Sequence, residues 1–279
     1  TDPRESITAL NRTQSIVTSK VRVRDYNYRT PSTQLKAEAG VAAEGVGVHV
    51  YYGEHFKNGD EGKRVAKVRA EEILCRRTLF TGGSRVRGLR AGMRFELEGY
   101  PLSDLDQGYV LDEVRHRVAQ SPDNAAHDVA LQGYHNTFVA TLYAAQFRPA
   151  RATPRPRIHG VVHARIDAAG DDGVTAPIDE MGRYKVLLPF DVAGEGGGKA
   201  SRWVRMAQSS AGSGYGVHFP LHVGTEVLLS HIDGDPDRPI IVGAVPNPEA
   251  ASPVNASNAT QSQMRTRTGI VVTFDDSAT

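Results

Sequence analysis

The chain has 279 residues, 33 of them Lys or Arg and 32 Asp or Glu, for a formal charge of +1 at pH 7. This balance excludes a whole-chain electrostatic footprint for nucleic acid or an anionic membrane surface. A single cysteine, Cys75, excludes an intrachain disulfide, and no stretch reaches the roughly 20 apolar residues of a membrane span. The start "TDPRESITAL" lacks the basic-then-apolar order of a signal peptide, so export would need another route.

The first half reads mostly as strands. In "SIVTSKVRVRDY", Val17, Val21 and Val23 share parity along an extended segment. "GMRFELEG" alternates Met93, Phe95 and Leu97 with charged residues, and "YVLDEVRHRV" is expected to turn Val110, Val114, His116 and Val118 inward. Between them "DEGKRVAKVRAEEILCRRTLF" predicts a helix, with Asp60 and Glu61 at its start and Arg76 and Arg77 near its end. Val65, Val68 and Ile73 or Leu74 are its expected inner stripe.

"RPARATPRPRI", Arg148 to Ile158, holds three prolines, which fix φ and donate no amide hydrogen bond; a domain boundary is placed there. Strand patterns resume in "GVVHARI", "GRYKVLLPF", "RWVRMAQ", "TEVLLSHI" and "PIIVGAV", with Tyr184, Val186, Leu188 and Phe190 on one face of the second. Five short strands, separated by Gly-rich or Asp-rich turns and without a helical period, predict a small β-barrel over residues 157–248. "PNPEAASPVNASNATQSQ" reads as a linker. The last pattern, "GIVVTFDD", alternates Ile270, Val272 and Phe274, and no partner strand is expected beside it in sequence.

Candidate chemical motifs all fall short of their requirements. Asp233, Asp235 and Asp237 in "HIDGDPDRPIIVGAVPN" match the first ligand positions of a calcium loop. However, Arg238 stands where its sharp bend needs Gly, and Ala244 where a bidentate Glu belongs, so a hairpin turn is expected. His159 with His163 and His218 with His222 have chelating spacing only on a helix; the first pair lies in a strand pattern and Pro220 divides the second. "AGEGGGKAS" has Ala193 and Ala200 where a phosphate-binding loop needs Gly and Ser or Thr. Ser213 is flanked by Ala211 and Tyr215, which rules out a nucleophile elbow. Cys75 is expected to be a buried, inert thiol. The sequons at Asn11, Asn255 and Asn258 matter only on a glycosylating route. Accordingly no catalytic residue, cofactor or metal is assigned.

The ordered motifs of the second half do resemble a known family. "DEMGR" (Asp179 to Arg183, with Gly182), Trp203, Arg205, Gly224, then Gly234, Asp235, Pro236, Asp237, Arg238, Pro239, Gly243 and Asn247 are similar to the oligonucleotide/oligosaccharide-binding-type (OB) barrel of type VI secretion spike proteins (VgrG). His222 and Val223 depart from the Arg and Ile often found there. "VTSKVRVRDYNYRTPSTQLKAEA" and the segment from "GDEGKRVAKVRAEEI" to "GYVLDEVRH" resemble that family's hub region, and "TRTGIVVTFDD" resembles the first strand of its β-helical spike.

The resemblance implies a mainly β protein: a hub β-barrel domain with one helix at 1–150, an OB barrel at 157–248, and a linker with the first spike strand at 249–279. Because the family pattern begins earlier and ends later, it implies a fragment. It further implies a homotrimer that contacts a hexameric tube protein, a tip-capping protein and secreted effectors, assembled in the bacterial cytoplasm and injected without a signal peptide. Neither nucleic-acid binding nor stable membrane insertion nor enzymatic activity is expected. A contractile-phage tail baseplate hub and spike shares both folds and stays an alternative, as does a polysaccharide-binding or hydrolysing module.

Overall fold

The computed structural model describes residues 5–119 and 133–277, which form two compact units, Thr1–Ala152 and Thr153–Thr279. Each is described by itself.

In the first unit, β1 (Ile7–Gln14), β2 (Lys20–Asp25), β3 (Leu35–Gly40) and β4 (Val48–Tyr52) precede the helix α1 (Gly59–Leu74). Then follow β5 (Thr78–Ser84), β6 (Arg94–Glu96), β7 (Gly108–Ala119) and β8 (Gly133–Leu142). Two sheets result, a five-stranded one ordered β1-β5-β8-β7-β6 and a three-stranded one ordered β3-β2-β4.

The helix starts where a capping residue permits. The Asn58 side chain accepts from the Glu61 amide at 2.9 Å, and the Glu61 carboxylate accepts from the Lys57 amide at 2.8 Å. Its buried face is Gly62, Ala66 and Ala70, with Val65 and Ile73 only partly covered and Leu74 exposed. This corrects the expected Val-rich stripe: small residues let the helix approach β2 and β3, where Val21 and Val23 are fully buried. Arg76 and Arg77 lie beyond the last helical turn. There Arg76 donates to the Glu72 carbonyl at 3.1 Å, and Cys75 is buried.

β7 also differs from the expected parity. Tyr109 and Leu111 are the buried residues, a bulge between Leu111 and Glu113 shifts the register, and Val114 then packs inward. One extra residue exchanges the two faces of a strand. Val110, expected inward, therefore lies on the opposite face from Tyr109 and Leu111, while His116 and Val118, although of the same parity as Val114, are exposed, as is Met93 beside β6. Phe80, Phe95, Tyr109 and Phe138 form an aromatic core with centroid separations of 4.8 to 5.8 Å. Phe138 fits because Gly82 has no side chain; a Cβ there would meet its ring at 2.3 Å.

In the second unit, β9 (Val161–Ile166), β10 (Val186–Leu187), β11 (Arg205–Met206), β14 (Glu226–His231) and β15 (Pro239–Ala244) form one sheet ordered β10-β9-β14-β15-β11. Its ends meet. Tyr184, just before β10, and Val204, just before β11, exchange backbone hydrogen bonds of 2.9 and 2.7 Å. That bridge closes five strands into a barrel and removes its free edges. Tyr184, Val227 and Ile241 are fully buried inside, with Ile166, Val186 and Leu229 around them. The inward face of "GRYKVLLPF" ends at Leu188; Phe190 is exposed, since the chain turns away after Leu187.

Outside the barrel, β12 (Ala211–Gly212) and β13 (Tyr215–Gly216) form a small hairpin. A second hairpin joins β16 (Gln261–Arg265) to β17 (Val271–Asp275), in register from Gln261↔Asp275 to Arg265↔Val271. The closing strand therefore has a partner in sequence, contrary to expectation. Gln261–Arg265 carries too few β-formers to announce a strand, and the turn supplies the pairing: the Thr266 amide donates to the Ile270 carbonyl at 2.9 Å. Ile270, Val272 and Phe274 are nevertheless exposed.

Candidate functional site

The motif residues converge on how the barrel's turns are built. At the aspartate turn, β14 and β15 pair as far as His231↔Pro239. The intervening loop is held by Ile232 donating to the Arg238 carbonyl at 3.0 Å and Asp237 donating to the Asp235 carboxylate at 3.0 Å. Asp233 and Gly234 take the left-handed conformation with φ of 55° and 70°. Asn and Asp tolerate that region because their short side chains bond locally. The turn is also anchored from outside: Ile158 donates to the Gly234 carbonyl at 2.8 Å, and the Arg157 guanidinium to the Asp233 carbonyl. Pro236 lies in the loop and Pro239 opens β15, where no ladder amide is lost.

The second motif feeds the closing bridge. The Asp179 carboxylate accepts from the Met181 and Arg183 amides at 3.1 and 3.0 Å and from Arg183 Nε at 2.7 Å, across a turn that passes through Gly182. The Arg183 guanidinium holds the Asp179 carboxyl below its usual range. The next residue is Tyr184, whose hydroxyl accepts from the Leu221 amide at 3.1 Å and lies 3.3 Å from His218 Nε2. On the facing strand Trp203 carries Lys185 Nζ 5.2 Å from its ring, and Arg205 lies in β11 opposite Ile240.

A third group fastens the barrel's exit. Glu226 accepts from Asn247 Nδ2 at 3.0 Å and pairs with His163 Nδ1 at 2.8 Å; these contacts lower its carboxyl below the usual value. Asn247 Oδ1 in turn accepts from the Glu249 and Ala250 amides at 3.0 and 2.8 Å. Asn247 thus ties the departing chain to β14. Gly243 sits next to the bulge opposite Leu228 and Leu229. Gly224 has φ of 83°, and a Cβ there would lie 2.7 Å from the Asp172 carboxylate.

The glycine loop has an internal anion. Asp167, 8% exposed, accepts from the Gly197 and Gly198 amides, both at 2.9 Å, while Lys185 donates to the Gly198 carbonyl. The amides that would cradle a phosphate are occupied by the chain's own carboxylate. The histidines are separated in the same way: His163 faces Glu226, and His218 faces Tyr184 and Gln208. Among the described residues no three His, Cys, Asp or Glu side chains group to hold a metal. Asp167, Glu226 and Arg157 were missed in sequence because each acts on a segment at least 21 residues away.

The chain thus combines a curled hub sheet with one packed helix and, after it in sequence, a closed five-stranded barrel whose motifs brace its turns. Residues 1–122 match the phage tail baseplate hub family, and residues 173–245 match the type VI secretion system/phage-baseplate injector OB domain. The chain carries both regions in tandem and is similar to curated VgrG spike proteins. It is 29% identical to the Pseudomonas aeruginosa type VI secretion system spike protein VgrG1b over 91% of its own length and 34% of that protein's. With VgrG1a of the same organism it shares 31% identity, over 87% and 38% respectively. The chain thus spans about a third of the length of these curated relatives.

Two solved structures share the fold. One is an Escherichia coli component of the type VI secretion system described as structurally similar to T4 bacteriophage tail proteins gp27 and gp5. It has a TM-score of 0.54 at 23% identity, over 88% of this chain and 48% of the other. The other is the lidded Francisella PdpA–VgrG complex, with a TM-score of 0.57 at 10% identity, over 96% and 43%.

Proposed function

We propose that this chain is the hub-and-barrel portion of a trimeric spike at the tip of a type VI secretion tube, a load-bearing part without catalytic chemistry. The observation that carries this reading is the tandem of a baseplate-hub region and an injector OB barrel in one chain. The site residues fit a mechanical role. Asp179, Asp235 and Asn247 accept from amides of the turns in their own barrel, which stiffens those turns.

In this reading residues 1–150 form the hub part that sits on a hexameric tube protein, and 157–248 gather as barrels around the three-fold axis. Residues 249–279 begin the spike, where the exposed Ile270, Val272 and Phe274 meet other copies and a tip-capping protein and effectors lie farther forward. The whole is assembled in the bacterial cytoplasm and leaves through the machine itself. Light scattering of the purified chain is expected to give three times the monomer mass, and cross-linking is expected to capture the tube protein. A monomer at all concentrations that captures no tube protein would refute the proposal. The baseplate hub of a contractile phage is the second reading, favoured by the family matched over residues 1–122.

A further inference from the structure

The three-stranded sheet of the first unit has one face under α1 and one face bare. Side chains on the bare face stand in three rows fixed by the register. β4 contributes Val48, Val50 and Tyr52, β2 contributes Lys20, Arg22 and Arg24, and β3 contributes Glu38 and Lys36. The apolar row is 41%, 52% and 58% exposed, and among the described residues β4 pairs only with β2.

Charge along this face is balanced at one end only. Glu38 pairs with Arg22 at 2.5 Å and with Lys20 at 3.4 Å. One cross-strand step further, Arg24 stands directly opposite Lys36, with Tyr52 on its other side. Like charges placed opposite each other on a sheet repel, and among the described residues neither has a salt-bridge partner. Both cations line a groove of about 540 Å³ with Tyr26, Thr33, Gln34, Val50 and Asp25, whose carboxylate is turned to the Tyr26 and His55 amides. They also line the adjoining groove, of about 470 Å³, that runs across β2 and β3.

We infer that this face is a docking site for an extended acidic segment of a partner protein, which lies along the face between the β4 row and the two cations. Its carboxylates neutralise the Arg24–Lys36 pair, and its alternate apolar side chains cover Val48, Val50 and Tyr52. An extended segment suits the face because its successive side chains alternate in direction, one set toward the β4 row and the other toward Arg24 and Lys36. A carboxylate suits the cations because Arg forms bidentate pairs with it. Nucleic acid suits the face poorly, since a strand needs a track of cations and aromatic platforms, and the middle of this row is aliphatic and already neutralised by Glu38.

The test uses the whole chain and a fluorescent, end-blocked peptide alternating Val with Glu, read by anisotropy. Peptides alternating Val with Ser and Val with Lys serve as controls. Only the acidic peptide is expected to bind, and less tightly as salt rises. Its affinity should fall at least about tenfold in the Arg24→Gln, Lys36→Gln variant. Lys36→Glu, which supplies Arg24 with a cross-strand partner and keeps the sheet paired, should abolish binding without lowering the melting temperature. Equal binding of all three peptides, or undiminished binding by both variants, would overturn the inference. So would a change in the mass of the peptide-free protein on substituting Arg24 and Lys36, because the face would then belong to a second copy.

Discussion

Replacing Asp167 by Asn tests whether the glycine loop is braced from within. The substitution keeps shape and volume but removes the charge and turns one acceptor oxygen into a donor. In the native barrel both oxygens accept, one from Gly197 and one from Gly198, each at 2.9 Å. Asparagine can satisfy one of them; the other amide then faces an NH2 group in a site that is 8% exposed. Losing one charge-assisted bond and leaving its donor unpaired costs about 2–3 kcal/mol. For a unit of this size that lowers the melting temperature by roughly 10 °C. Amide hydrogen exchange at Gly197 and Gly198 provides the local reading, with both expected to be protected in the parent and at least one to exchange faster in the variant. Unprotected amides in the parent, or an unchanged melting temperature together with unchanged exchange, would refute the brace.

Three further outcomes follow from the barrel and its hairpin. Ile241→Ala, at a fully buried position, should destabilise the second unit by about 2–5 kcal/mol in denaturant titration, since it removes packing and leaves a cavity. Gly224→Ala places a Cβ at positive φ and against Asp172, and should cost about 1–2 kcal/mol in the same assay. Asp275 is held down to about 2 by Gln261, the Ser277 amide and Thr260. A carboxyl lowered on folding adds stability above its unfolded value, near 3.8, and loses it as pH falls towards 2. Pairing of β16 with β17, followed by NMR, should therefore weaken across that window in the parent but not in Asp275→Asn.

Much of the fold was legible along the chain. Alternation in "KVRVRD" marks a half-buried strand with one face to the core, and β2 follows it. The acidic start of α1 was equally clear. The reading failed where one residue changes the period, as at the bulge in β7, and where a turn imposes pairing on a weak sequence, as in β16. The small inner face of α1 was missed for a related reason: Gly62, Ala66 and Ala70 carry little hydrophobic signal, and their value lies in the distance they permit.

Sequence by itself determined the order of motifs, and with it the hub-then-barrel arrangement, because turn-forming residues act on their immediate neighbours. The carboxylates of Asp179 in "DEMGR" and of Asp235 in "GDPDRP" bend the backbone by accepting from amides four residues away or fewer. Only the tertiary structure decided what the long-range partners are. Barrel closure through Tyr184 and Val204, the carboxylate of Asp167 inside the glycine loop, and the unneutralised Arg24 opposite Lys36 all join distant segments. Such contacts form only after strands choose a register, and register is a property of the folded sheet rather than of any one segment.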